Sequence, residues 1–160
     1  MELFGPDFIF VHGDTTTAMA ASIAGFYSGA KVCHIEAGLR TFDMSSPFPE
    51  EMNRSIISVT SSFHFAPTLT SKNNLLKENK KEEDIIVTGN TVIDSLLYSV
   101  DRVKSNFDDP EINFLKDKIN TQKKIILVTG HRRENHGEGF NNICKALKQI
   151  ANENEDCQIL

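Results

Sequence analysis

Short continuous apolar runs alternate with stretches of helical period along the whole chain. Phe8-Ile9-Phe10-Val11, Lys31-Val32-Cys33-His34-Ile35, Phe63-His64-Phe65-Ala66, Ile85-Ile86-Val87, Ile125-Ile126-Leu127-Val128 and Cys157-Gln158-Ile159-Leu160 have the length and content of buried parallel strands. Between them, Thr16 to Ser28 reads as an Ala-rich helix closed by Gly29, and Glu50 to Val59 as a helix opening just after Pro49. A third helix is expected to end near Glu78, capped by Thr70 or Ser71. Val92, Leu96, Leu97, Val100 and Val103 recur at helical spacing and predict an amphipathic helix with one buried face. A last helix is expected from about Gly139 to Asn152. Strand and helix in strict alternation define an α/β protein with Rossmann-like parallel sheets.

The alternation weakens over residues 104–123, where charges and Asp108-Asp109-Pro110 dominate, although Ile112, Leu115 and Ile119 mark a short helix inside. This stretch reads as the connection between a first lobe, residues 1–103, and the start of a second, residues 124–160. The final strand leaves an apolar edge of the kind that natural domains cover, so the second lobe is expected to be truncated.

Composition narrows the class. With 39% hydrophobic and 24% charged residues among 160, the chain reads as a soluble globular protein. A net charge of −5 argues against a nucleic-acid surface, which relies on a basic field. Cys33, Cys144 and Cys157 are an odd number without a CxxC spacing and are expected to be small buried hydrophobes in a reducing cytosol. The first residues show no basic n-region followed by an apolar core, and no run reaches transmembrane length, so neither export nor a membrane is expected.

Three polar clusters follow the first two strands: His12-Gly13-Asp14-Thr15-Thr16-Thr17, His34-Ile35-Glu36-Ala37-Gly38-Leu39-Arg40-Thr41, and Pro47-Phe48-Pro49-Glu50-Glu51-Met52-Asn53-Arg54. In an open α/β sheet, ligands bind at the carboxyl ends of the strands. Asp14, Glu36 and Glu50, with Arg40 and Arg54, are therefore candidates for one shared pocket. Simpler roles compete: Asp14 can cap the helix that follows, and Glu50 and Glu51 suit a first helical turn. A further turn, Thr129-Gly130-His131-Arg132-Arg133-Glu134-Asn135, offers backbone amides, an imidazole and two guanidiniums, a combination suited to a diphosphate or to a solvated loop. His12/Asp14 and His34/Glu36 also have the H-x-D and H-x-E spacing of metal ligands, which leaves a metal-dependent hydrolase open.

Together with Val87-Thr88-Gly89-Asn90-Thr91-Val92-Ile93-Asp94, these motifs resemble the non-hydrolysing UDP-N-acetylglucosamine 2-epimerases of bacteria, over nearly the whole chain. The resemblance implies two Rossmann-like lobes in the GT-B arrangement, residues 1–103 being the C-terminal part of the first. It implies interconversion of UDP-N-acetylglucosamine and UDP-N-acetylmannosamine for surface polysaccharide synthesis, with no redox cofactor and no metal, in a homodimer when full length. By similarity Asp14, Glu36 and Glu50 are acid/base candidates, and His131 contacts the diphosphate and stabilises the departing UDP. Arg132 and Glu134 belong, on the same grounds, to a regulatory substrate site. Family members are longer at both ends, so the chain is expected to be a piece of an epimerase, with little activity alone or as a non-catalytic nucleotide-sugar-binding remnant.

Overall fold

A computed structural model describes residues 4–105, 108–130 and 137–160. They fall into two units, Met1–Asp101 and Arg102–Leu160. In the first, β1 (Phe8–His12), β2 (Lys31–Ile35), β3 (Phe63–Ala66) and β4 (Ile85–Val87) form one sheet in sequential order. All three neighbouring pairs are parallel, with Val11 opposite His34 and His34 opposite His64. Parallel neighbours need a crossover, supplied by α1 (Thr16–Tyr27), α2 (Glu50–Thr60) and α3 (Leu69–Lys77), the last followed by a 3-10 turn over Glu82–Asp84. The second unit contains α5 (Pro110–Lys118), β5 (Lys124–Ile126), α6 (Glu138–Glu153) and β6 (Cys157–Ile159), with β5 and β6 parallel. The α/β class and its parallel sheets are thus as the sequence pattern predicts.

Side chains alternate across a strand, so each strand of the first sheet has two faces. Val11 and Val32 pack against Ala18 of α1 and Ile57 of α2, while Ala66 and Ile85 pack with Leu75 of α3 and with Ala37. On the opposite face Phe8 lies near Phe63 and Phe10 stacks on Phe65, with Lys31 over the first pair of rings. Helix α1 lies so close to the sheet that a β-carbon on Gly25 would come within 2.9 Å of Ile9.

Element positions follow the sequence pattern closely, but the caps differ. Helix α3 is capped by Thr68, whose hydroxyl accepts from the Ser71 amide at 3.0 Å, two or three residues before Thr70 and Ser71. Thr68 is extended and Leu69 is already helical, so the cap goes to the last residue outside the helix. The amphipathic helix after Asn90 forms as α4 (Thr91–Lys104), yet Val92, Leu96 and Leu97 remain 57–60% exposed. Spacing makes the helix; covering its apolar stripe takes a partner that spacing does not supply.

Leu75 is fully buried between Ala37, Ala66 and Ile85. Leu75→Ala should lower the free energy of unfolding by about 2–5 kcal/mol, read as a shift of the urea midpoint of the first unit.

Candidate active site

The turn after β1 and the residue after β2 meet at the carboxyl edge of the sheet. The Gly13 amide donates to the Ile35 carbonyl at 3.0 Å, which extends the β1–β2 ladder into the turn. Gly13 has φ +70°, and a β-carbon there would sit 3.3 Å from Glu36 Oε2. Any other residue would be strained and would also press on that carboxylate. Glu36 itself has φ +67°, a conformation that costs an L-residue about 1–2 kcal/mol. Strain of this sort persists where the surroundings enforce it, and it is common at working sites. It turns the Glu36 carboxylate toward His12, whose Nε2 is 3.7 Å away.

Asp14 is not the helix cap. Thr15 takes that role by accepting from the Ala18 amide at 3.1 Å. The Asp14 carboxylate is instead paired with Arg54, which donates to Oδ2 from Nε at 2.9 Å and from Nη2 at 2.8 Å. Oδ1 has no partner among the described residues. Through Nη1 the same guanidinium donates to Glu51 Oε2 at 2.9 Å. Glu51 is buried and also accepts from the Thr41 and Phe42 amides, at 3.2 and 3.0 Å. Burial alone would raise its pKa, but those amides and Arg54 outweigh it and hold the carboxyl below its ordinary range. Glu51 therefore fastens α2 to the preceding loop. Glu50, one residue earlier at the start of α2 and half-buried, stays out of that network.

Arg40 leaves the pocket that its position in the sequence suggested. Its buried guanidinium donates from Nη2 to Glu78 Oε2 at 2.9 Å, at the C-terminal end of α3, and Ser58 donates to the same oxygen. Gly89, Asn90 and Thr91 line a shallow recess with Ile35, Glu36 and Pro67, which brings the fourth motif to the same edge. A larger recess of about 720 Å³ lies near Gly5, Tyr27 and Lys31 and is lined by none of the three candidate carboxylates.

Beneath the site lie two histidines, His34 and His64, 1% and 2% exposed. His34 Nε2 is 2.9 Å from the Gly13 carbonyl. Because a carbonyl only accepts, that nitrogen carries the proton. Burial pushes both rings down to a pKa of about 4, so both are neutral at neutral pH. Asn53, equally buried, donates from Nδ2 to the Asp14 carbonyl at 2.7 Å.

The metal-ligand reading does not survive this geometry. His12 is exposed, whereas His34 points into the core with Nε2 committed to a carbonyl. Among the described residues, no group of three or more His, Cys, Asp or Glu side chains could hold an ion. The Glu36 carboxylate lies against Gly13, the residue before Asp14, and Arg54 connects Asp14 to Glu51 in the first turn of α2, which Glu50 opens. His131, Arg132 and Glu134 lie outside the described residues. Sequence reasoning missed Glu51, Asn53 and the downward turn of His34. Only the three-residue helical spacing of Glu51 and Arg54 could have pointed to the first of these.

A helix-backed parallel sheet with carboxylates gathered at one strand edge is the layout of Rossmann-like α/β enzymes. The family model described as UDP-N-acetylglucosamine 2-epimerase matches residues 1–160, and the chain belongs to that family. A UDP-N-acetylglucosamine 2-epimerase of Salmonella borreze is 58% identical over 158 residues, covering 98% of this chain and 42% of its own length. The crystal structure of UDP-GlcNAc 2-epimerase from Neisseria meningitidis bound to UDP-GlcNAc is 49% identical with a TM-score of 0.93, over 99% of this chain and 43% of that one. The Methanocaldococcus jannaschii enzyme in complex with UDP-GlcNAc and UDP is 30% identical with a TM-score of 0.79, over 99% of this chain and 43% of its own. The chain thus spans about 42% of the length of the Salmonella borreze relative.

His34 and His64 bind a proton more weakly when folded, at about pH 4, than at their ordinary value of 6.5. Stability is therefore full above pH 6.5 and lost as pH falls toward 4, by about 1.4 kcal/mol per pH unit for each ring. Urea unfolding between pH 7 and 5 should show this loss, and His64→Leu should reduce its slope by about half.

Proposed function

We propose that this chain supplies the acid/base part of a UDP-N-acetylglucosamine 2-epimerase acting on UDP-N-acetylglucosamine and UDP-N-acetylmannosamine. The observation that supports this reading is the Glu36 carboxylate lying against Gly13, the chain neighbour of Asp14, with Arg54 tying Asp14 to the helix turn that bears Glu50.

The C-2 proton of the sugar is not adjacent to a carbonyl, so direct removal and return would be slow. Expulsion of UDP solves this. One carboxylate takes the C-2 proton while the C-1 to oxygen bond breaks and its electron pair leaves with UDP, giving a 2-acetamidoglucal. UDP then adds back at C-1 while a proton is delivered to the opposite face of C-2. The scheme needs an acid and a base on different sides of one carbon, and no redox cofactor. Asp14, Glu36 and Glu50 are the groups available, and Oδ1 of Asp14, which has no partner among the described residues, is free to face a substrate. By family resemblance His131 stabilises the departing UDP, while Arg132 and Glu134 serve a regulatory substrate site. Residues 1–103 belong to a first lobe and residues 124–160 open a second, joined through 104–123 in a GT-B arrangement. The complete protein is a cytoplasmic homodimer.

Exchange of this chain into the corresponding segment of the Neisseria meningitidis enzyme tests the proposal. The chimera should interconvert the two nucleotide sugars and take one solvent deuterium into C-2, while the 160-residue chain alone turns over at least about 100-fold more slowly. Asp14→Asn, Glu36→Gln and Glu50→Gln should each lower kcat by about 10²–10⁴-fold in the chimera, the two glutamine variants without shifting its melting temperature and Asp14→Asn with a lowered one, because it removes the charge that Arg54 pairs with. Binding of UDP without deuterium uptake would reduce the chain to a non-catalytic remnant.

A further inference from the structure

We propose that His34 and Asn53 are positioning residues for Asp14, which together pin the two peptide planes flanking it. His34 holds the Gly13 carbonyl, in the peptide before Asp14, at 2.9 Å, and Asn53 holds the Asp14 carbonyl, in the peptide after it, at 2.7 Å. Two fixed peptide planes set φ and ψ of Asp14 and so the direction of its Cα–Cβ bond. Arg54 then fixes the carboxylate at the end of that bond. Among the described residues no other hydrogen bond to these two carbonyls is present, and helix α1 begins only at Thr16, with Thr15 as its cap.

A purely structural role accounts poorly for these two side chains. Both residues are 1% exposed, and among the described residues each leaves a second polar atom, His34 Nδ1 and Asn53 Oδ1, buried without a partner, a cost that His64 shares at its Nδ1. An apolar residue of similar size would fill either place without that cost. What an apolar residue lacks is the N–H directed at the turn. His64 is the internal comparison. It lies opposite His34 in the strand register and is equally buried, but it makes no hydrogen bond to the turn among the described residues.

The proposal rests on the epimerase reading for the role of Asp14, but the clamp can be measured without substrate. Hydrogen exchange by NMR on the 160-residue chain should show the Gly13, Asp14 and Thr15 amides exchanging at least about tenfold faster in His34→Leu and in Asn53→Ser, relative to the rest of β1. They should be unchanged in His64→Leu. His34→Gln, which keeps an N–H at the Nε2 position, should restore protection. In the chimera, His34→Leu and Asn53→Ser should lower kcat by about 10–100-fold with little change in KM, and His34→Gln should recover most of it. If His34→Leu does not fold, Asn53→Ser and His34→Gln carry the same comparison. Equal loosening of the turn in His64→Leu, or no rescue by glutamine, would overturn the clamp. An inactive chimera whose turn still loosens in the two variants would instead overturn the epimerase reading and leave the clamp standing.

Discussion

One guanidinium ties the carboxyl edge of the first sheet together. Arg54 reaches from α2 to Asp14 in the turn after β1, and in the same plane to Glu51, which in turn holds the amides of Thr41 and Phe42 in the loop after β2. Three chain segments are fixed relative to one another by these contacts. Each alone would be a connection free to sample many conformations. Arg54 and Glu51 are both largely shielded from water, where a charge is tolerable only while paired and fully hydrogen-bonded. The arrangement is therefore all-or-none: loss of one member strands another in a poorly solvating interior, so the three segments keep one geometry.

The same shielding separates carboxylates by task. Glu50 and Glu51 are neighbours in the chain, but successive helical residues point about 100° apart, so only one can face inward. Glu51 takes that place and is consumed by structure, while Glu50 remains half-buried at the start of α2. Below them the histidines are kept neutral by burial, which suits a ring whose task is to donate one proton to a carbonyl rather than to carry charge.

Much of the fold was legible in the chain. Apolar runs of strand length, separated by helix-period segments and punctuated by Gly29 and Pro49, predict the strands, the helices and their parallel order, because periodicity and breakers act over a few residues. The clusters after β1 and β2 likewise mark Asp14 and Glu36, since chain topology alone brings strand ends to one edge. His131, Arg132 and Glu134 were marked by their motif and lie outside the described residues.

Partners were not legible. Arg40 and Arg54 look alike in the sequence, yet one is buried against Glu78, 38 residues away, and the other joins Asp14, 40 residues away. The H-x-E spacing leaves a metal-ligand role for His34 open as a minor alternative until the strand register turns it into the core beside His64. The sequence by itself determined which segments are strands, helices and reactive turns, because those depend on neighbours along the chain. Only the tertiary structure decided which charge meets which and which polar atom faces inward, because that depends on how separate segments pack, and packing leaves no local pattern to read.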